Sequence, residues 1–161
     1  YNFTHSTIAN YWSNSFRQFP ALLLNNFIID AENNVFTNPL ESANFTNCII
    51  YGNDNPELLL EKEPSDVFNF KFTNSLIYFD DPSGYFSEPQ YDFSNTDHYE
   101  NVTFNNDPGF LDPSKNQLNI PIGSPAEGAG ISYGNLNVDI TNTTRTSPPD
   151  LGAYNATEFE D

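Results

Sequence analysis

A six-residue phrase recurs five times in the first 104 residues, and this repeat limits the fold more than any other feature of the sequence. The copies start at residues 3, 24, 45, 72 and 99 and read FTHSTI, LNNFII, FTNCII, FTNSLI and YENVTF. Their separations of 21, 21, 27 and 27 residues match one coil of a solenoid. The first and sixth residues of each copy are large and apolar, so we expect them to point into a shared core. The repeat therefore predicts a stack of parallel β-coils.

The third residue of every copy is polar, and it is asparagine in four of the five. Equivalent residues on successive coils lie about 4.8 Å apart, a spacing at which asparagine amides exchange hydrogen bonds along a ladder. The predicted structural ladder consists of His5, Asn26, Asn47, Asn74 and Asn101. Stacked repeats accept insertions only where these leave the core intact, so we expect residues 80–97 to form an outward loop.

Composition favours strands over helices. Aromatic residues make up 16% of the chain and 12 residues are proline, and no window of eleven or more residues has the apolar spacing of a helix. We therefore predict an all-β solenoid of about five coils. A β-sandwich is the alternative, but its strands would alternate about every 8–12 residues and would not need the same phrase each time.

The charge of the chain excludes some partners. With 22 acidic and 5 basic residues the net charge is −17, which repels nucleic-acid phosphates and anionic lipid headgroups. No apolar run approaches the ~20 residues that span a bilayer, so no transmembrane segment is expected. Divalent cations, basic proteins and neutral sugars remain as partners.

Three motifs occur in order in the last third of the chain. They are DPGFLDP at residues 107–113, a stretch from Leu118 to Gly130 that contains Ser-Pro-Ala at 124–126, and Arg145 followed by PDLGAY at 149–154. They resemble the C-terminal end of bacterial secreted right-handed parallel β-helix proteins, although Asn155 departs from the closing motif of that family. The family includes polysaccharide lyases and surface proteins without a known activity.

The resemblance implies a right-handed parallel β-helix that is secreted or lies at the cell surface. On this basis we expect residues 1–106 to form β-helix coils, and residues 107–161 to form the last coil and a cap that folds over the end of the stack. Arg145 and Asp150 recur together in the closing motif, and we expect them to pair within the cap.

Two groups of side chains are candidates for ligand contact. Exposed aromatic rings stack on sugar rings, and the carbohydrate-contact candidates are Trp12, Arg17, Tyr85 and Tyr91. Calcium takes oxygen ligands from carboxylates, and the calcium candidates in the acidic loop are Asp80, Asp81, Asp92 and Asp97. The chain has no spaced D-x-D-x-D-G motif, so the same carboxylates also fit a solvated loop.

We expect an extracellular β-helix module that is non-catalytic by itself and works in surface adhesion or polysaccharide binding. The alternative is the C-terminal portion of a polysaccharide lyase or glycoside hydrolase whose active site lies on coils N-terminal to Tyr1. Basic residues, which a lyase of this kind needs, are scarce, and His98 beside Asp97 is the one histidine that suggests a base. An uncovered first coil also predicts end-to-end self-association.

Overall fold

The computed structural model describes residues 1–159, which are built mainly from short β-strands and connecting turns. The strands are β1 (Asn2–Thr4), β2 (Thr7–Asn10), β3 (Leu22–Asn25), β4 (Phe27–Ile29), β5 (Val35–Thr37), β6 (Leu40–Thr46), β7 (Ile49–Gly52), β8 (Leu58–Glu61), β9 (Phe68–Thr73), β10 (Leu76–Ile77), β11 (Tyr99–Glu100) and β12 (Thr103–Phe104). Two 3-10 helices occupy Pro89–Tyr91 and Pro113–Lys115. Within residues 1–159, no helix is long and apolar enough to cross a membrane.

Most strands belong to two four-stranded sheets in which every pairing is parallel. The first sheet has the order β1-β6-β9-β11 and the second has the order β2-β7-β10-β12. A shorter parallel pair joins β3 to β8. We use the word level for strands at the same height: level 1 is β1, β2 and β3, level 2 is β6, β7 and β8, level 3 is β9 and β10, and level 4 is β11 and β12. The prediction of an all-β fold with parallel sheets is confirmed.

The first residues of four phrase copies stack through the core. Phe3, Phe45, Phe72 and Tyr99 are in register on adjacent strands of the first sheet. Successive ring centroids are 4.9, 4.8 and 5.8 Å apart, close to the spacing of paired strands. The sixth residues of the same copies are in register on the second sheet; they are Ile8, Ile50, Ile77 and Phe104.

The third residue of these four copies forms the corner between the two sheets. His5, Asn47, Asn74 and Asn101 have φ angles of 48°, 56°, 45° and 53°. Asparagine tolerates this left-handed region better than most residues, so the repeated asparagine serves the backbone of the corner. One side-chain link joins adjacent levels, from Asn47 Nδ2 to His5 Nε2 at 3.0 Å, whereas Asn74 Nδ2 donates to the carbonyl of Ala129.

The phrase copy that starts at Leu24 does not join this stack, so the prediction of five equivalent copies is wrong for it. Leu24 lies in β3 and is in register with Leu60. Asn26 is buried, and its amide bonds backbone groups of Glu63 and Val67 rather than a ladder neighbour. The chain then forms the antiparallel β4–β5 hairpin, which explains why the equivalent residues His5 and Asn47 are 42 positions apart.

The C-terminal segment, residues 107–159, lies along the outer face of the second sheet. This sheet is apolar on both faces, and its outer side chains Ile49, Tyr51 and Leu76 pack in one cluster with Ile120, Ala126 and Leu151. The segment reaches level 1, where the Ala153 amide donates to Thr7 Oγ1 at 3.0 Å. The described residues of this segment thus pack on the side of the stack, while a cap over its end stays a prediction and residues 160–161 lie outside the described part of the chain.

Arg145 and Asp150 organise this segment through its backbone and do not form an ion pair with each other. The Arg145 guanidinium donates to the carbonyl of Gly152 at 3.0 Å. The Asp150 carboxylate accepts from the amides of Gly128 and Ala156, each at 2.7 Å. The two residues are linked not by an ion pair but through the backbone, since the Arg145 guanidinium donates to the carbonyl of Asp150 at 3.4 Å.

The acidic loop, residues 80–97, was predicted to point outward. It instead folds inward and fills the end of the core. Phe93 of this loop packs on Phe104 with ring centroids 4.3 Å apart, and it also contacts Tyr99. The Tyr91 hydroxyl accepts from the amide of Leu60 at 2.8 Å and donates to its carbonyl at 3.3 Å. The loop therefore covers the side of β8 that lacks a strand partner.

Candidate functional site

A polar groove of the described surface lies beside the single tryptophan of the chain. It has a volume of 480 Å³ and runs between the segment after β2 and the Pro113–Lys115 helix. Its lining residues are Ala9, Asn10, Tyr11, Trp12, Ser13, Asn14, Pro113, Ser114 and Asn116. We call this feature the Trp12 groove. Its lining contains aromatic rings, amides and hydroxyls and no charged side chain.

The position of Trp12 is set by hydrogen bonds at both ends of the residue. Its backbone amide donates to Asn10 Oδ1 at 3.2 Å, and its indole Nε1 donates to Ser15 Oγ at 3.0 Å. The side chain remains 53% exposed. The ring is therefore both oriented and open to a ligand, as a stacking platform must be.

Arg17 anchors the loop that carries Trp12. Its guanidinium donates to Glu57 Oε1 at 2.5 Å, to Asp54 Oδ2 at 2.8 Å and to the carbonyl of Asn10 at 3.2 Å. The Arg17 side chain is only 7% exposed and that of Glu57 is fully buried. The prediction that Arg17 contacts carbohydrate is wrong, since its donors are engaged within the protein. Its role is to position the loop.

The carboxylate of Glu57 needs a gap in the strand beside it, and Gly52 provides that gap. A Cβ atom at Gly52 would lie 2.0 Å from Glu57 Oε1 and 2.4 Å from the carbonyl oxygen of Asn10. The same carboxylate accepts from the amides of Ala21 and Asp54 at 2.7 and 2.9 Å. One buried acid therefore links the C-terminal end of the loop that carries Trp12, at Ala21, to the turn that follows β7, at Asp54.

The opposite wall of the groove is a compact turn. Asp112 accepts from Ser114 Oγ and Lys115 Nζ, each at 2.6 Å, and these bonds lower the pKa of Asp112. Phe110 meets Tyr11 edge to face at 6.1 Å, which joins the two walls. Burial raises the pKa of the Tyr11 phenol, so this lining residue stays neutral at physiological pH.

The two tyrosines predicted as sugar platforms lie in different surroundings. Tyr91 is buried and bonds β8, so its predicted contact with carbohydrate is wrong. Tyr85 is 79% exposed and lines a second groove of 490 Å³ with Phe27, Ile29 and Leu59. That groove is more apolar than the Trp12 groove and has fewer amides for sugar hydroxyls.

The four aspartates named as calcium ligands do not converge. Asp81 accepts from the amides of Tyr85 and Phe86, and Asp92 accepts from Ser94. These bonds lower the pKa values of both aspartates. The amides of Asp80 and Asp97 bond nearby asparagines. Within residues 1–159, no three His, Cys, Asp or Glu side chains are grouped to hold a metal ion.

His98 is fixed by the core rather than by Asp97. Its ring stacks on Phe70 with centroids 4.4 Å apart, and its Nδ1 lies 3.0 Å from the carbonyl oxygen of Phe70. It lines a cleft of 370 Å³ together with Lys62 and Glu88. The hydrogen bonds found in the described residues connect His98 to no serine, threonine or cysteine nucleophile.

Sequence reasoning identified Trp12 but missed the rest of its groove. The residues at 113–116 were assigned to a cap and are more than 100 positions away along the chain, so no local pattern linked them to Trp12. The run Ile49-Ile50-Tyr51 does indicate that another segment covers the outer face of this strand, because apolar residues on both faces of a strand indicate that both faces are covered. No protein-family model, curated protein or solved structure matches the chain.

Proposed function

We propose that the four levels are successive coils of a right-handed parallel β-helix. The register of Phe3, Phe45, Phe72 and Tyr99 supports this proposal. So does the general preference of parallel strand connections for the right-handed path. Its secreted or surface location is part of the same proposal and rests on the closing motifs at 107–154.

A coil duplication tests the solenoid. Ala43 and Phe70 are in register, so residues 43–69 form one full repeat. A copy of 43–69 placed before Tyr1 is expected to put a second Phe45 ring over Phe3 and to raise Tm, because it buries the uncovered side of level 1. A duplicated chain with the same or a lower Tm would contradict the proposal, and a scrambled 27-residue extension is the matched control.

We propose that the function of the chain is to bind a neutral polysaccharide through the Trp12 groove, without catalysis by its own residues. The observation that carries this proposal is the fixed, half-exposed indole above a lining of amides and hydroxyls. The apolar face of a sugar ring packs on an aromatic ring, while its hydroxyls bond side chains that both donate and accept, such as asparagine and serine.

The choice of a neutral sugar follows from charge. The net charge of −17 repels acidic polysaccharides, and the groove lining has no cation to bind a uronate carboxylate. The nearest lysine, Lys115, is paired with Asp112 at 2.6 Å. A neutral glycan is therefore the class that this groove suits best.

Tryptophan fluorescence gives a direct assay because Trp12 is the single tryptophan. Titration with neutral oligosaccharides is expected to shift its emission, and acidic oligosaccharides are expected to leave it unchanged. Trp12→Ala should weaken binding, measured by calorimetry, by about tenfold or more, which corresponds to ~1.4 kcal/mol. Phe16→Ala is the matched control, since Phe16 lies on the same loop, is 98% exposed and does not line the groove.

Two results would contradict this function. One is an unchanged emission spectrum with every neutral glycan tested. The other is the appearance of unsaturated uronate products in an ultraviolet assay, which would favour the lyase alternative over a binding module. A Phe16→Ala effect as large as that of Trp12→Ala would move the contact surface away from the groove.

A further inference from the structure

The groove beside Tyr85 is lined by apolar side chains from three separate segments. These are Phe27 and Ile29 of β4, Leu59 of β8, and Tyr85 and Phe86 of the acidic loop. We call this feature the Tyr85 groove. Ile29 is 56% exposed and Tyr85 is 79% exposed. Large apolar side chains that line a concave surface and stay exposed are typical of a binding surface.

Strand β4 offers backbone groups to a ligand as well as side chains. It is paired on one side only, by the antiparallel strand β5. The carbonyl of Asn26 accepts from the amide of Asn38, so Asn26 directs its backbone groups towards the β5 side. Neighbouring residues in a strand direct these groups to opposite sides, and those of Phe27 and Ile29 therefore point away from β5. An extended peptide can pair with such an edge.

The segments that carry the Tyr85 groove are acidic. The β4–β5 hairpin, residues 26–38, contains two acidic residues and no basic one, and the acidic loop, residues 80–97, contains five acidic residues and no basic one. Glu61 and Glu88 line the groove themselves, and Lys62 is the single basic side chain among its described lining residues. A complementary partner therefore carries positive charge next to apolar side chains.

Charge and hydrogen bonding also argue against other occupants. A second copy of the chain would bring another net charge of −17 to the same surface, and anionic lipid headgroups would be repelled in the same way. The side-chain amide of Gln90, which lines the groove, already donates to the carbonyl of Leu60 at 3.2 Å. The groove is therefore poorly suited to sugar hydroxyls, which need free polar partners.

We propose that the Tyr85 groove binds an extended segment of another protein in which apolar and basic side chains alternate. Side chains alternate between the two faces of a strand, so the apolar ones would pack on Ile29 and Tyr85 while the basic ones face the exposed carboxylates of Glu61 and Glu88. The backbone of the segment would pair with the free edge of β4. This surface goes beyond the proposed glycan binding and does not depend on it.

Calorimetric titration with the synthetic peptide KVKVKV tests the proposal. The peptide is expected to bind, to bind more weakly as salt screens its charges, and to lose about tenfold or more in affinity in Ile29→Lys and in Glu88→Lys. The matched controls are Ile122→Lys, which changes a side chain that is also 56% exposed, and Glu158→Lys, which makes the same charge change on the C-terminal segment. Both should bind nearly as the natural sequence does, and circular dichroism of each variant checks that the fold is retained.

Two altered peptides and hydrogen exchange separate docking from general charge attraction. KKKVVV has the same composition without the alternation, QVQVQV has the alternation without the charge, and both should bind about tenfold or more weakly than KVKVKV. The amides of Phe27 and Ile29 should become protected when KVKVKV is bound. The proposal would be overturned by absence of KVKVKV binding, by equal binding of KKKVVV, or by unchanged exchange at these two amides. Self-association in sedimentation velocity that Ile29→Lys abolishes would also overturn it, in favour of a second copy as the occupant.

Discussion

Acidification from pH 7 to pH 5 is expected to destabilise this protein through His5. The ring is 8% exposed and is held neutral by two fixed contacts. Asn47 Nδ2 is a donor at 3.0 Å, so His5 Nε2 must accept, and Nδ1–H therefore donates to the carbonyl of Asp150 at 3.2 Å. The Asn47 amide has a fixed orientation because it bonds both the N–H and the C=O of Ile131. A proton on Nε2 would face this donor.

The magnitude follows from the pKa of His5. Burial, together with the positive charge of Arg145, lowers this pKa from 6.5 to about 4. The folded state then binds fewer protons than the unfolded state between these values, so the free energy of unfolding falls as pH falls through 6.5. At 1.36 kcal/mol per pKa unit the full effect is about 3 kcal/mol below pH 4, and about 2 kcal/mol has been lost at pH 5.

Urea unfolding at pH 7, 6 and 5 measures this loss, and His5→Asn is the control. Asparagine occupies the equivalent corners at Asn47, Asn74 and Asn101 with similar positive φ, so the variant should fold and show little pH dependence above pH 5. Aspartates with lowered pKa values, such as Asp139, contribute mainly below pH 4. The reasoning would be refuted if the free energy of unfolding of the natural sequence changed by less than about 0.5 kcal/mol between pH 7 and pH 5. It would also be refuted if His5→Asn showed the same dependence of this free energy on pH.

Two further predictions concern buried polar contacts. Glu57→Gln should cost about 1–3 kcal/mol in the free energy of unfolding, because it removes the buried one of the two carboxylates that pair with Arg17 and leaves the half-exposed Asp54. It should also change the Trp12 emission, and a loss under about 0.5 kcal/mol would contradict the anchoring role. Tyr91→Phe should cost about 1–3 kcal/mol and speed exchange of the Leu60 amide. Tyr85→Phe is the matched control, and its free energy of unfolding should stay within about 0.5 kcal/mol of the natural sequence. Equal losses in both variants would show that the hydrogen bonds of Tyr91 with Leu60 do not stabilise the fold.

The repeat predicted the parallel sheets because one backbone requirement recurs at every corner. A left-handed residue at the corner between two strands favours asparagine or a near substitute, so His5, Asn47, Asn74 and Asn101 were visible in the sequence. Leu24 meets the same apolar pattern because Leu22 and Leu24 of β3 also pack against the core. Nothing in the composition of the phrase separates a corner asparagine from the buried Asn26, whose amide bonds a distant turn.

The sites were less visible than the fold because their contacts join distant parts of the chain. Trp12 was recognisable as an exposed aromatic candidate, but its groove depends on a turn near Asn116 that arrives through the packing of the C-terminal segment. Tyr91 and Tyr85 are six residues apart in one loop, and only the tertiary path of that loop decides which ring is buried. The sequence does not show that Arg17 is paired, because the buried carboxylate of Glu57 that it bonds is 40 positions away along the chain.

The long C-terminal segment has a consequence for how the chain is made. Contacts such as His5 with Asp150 join residues 145 positions apart, so the corner of level 1 lacks its outer partner until residue 150 has left the ribosome. Domains generally begin to fold from the N-terminus during translation. Here the second sheet must wait for residues 120–151, and during that interval its outer apolar side chains, such as Ile49 and Leu76, are uncovered.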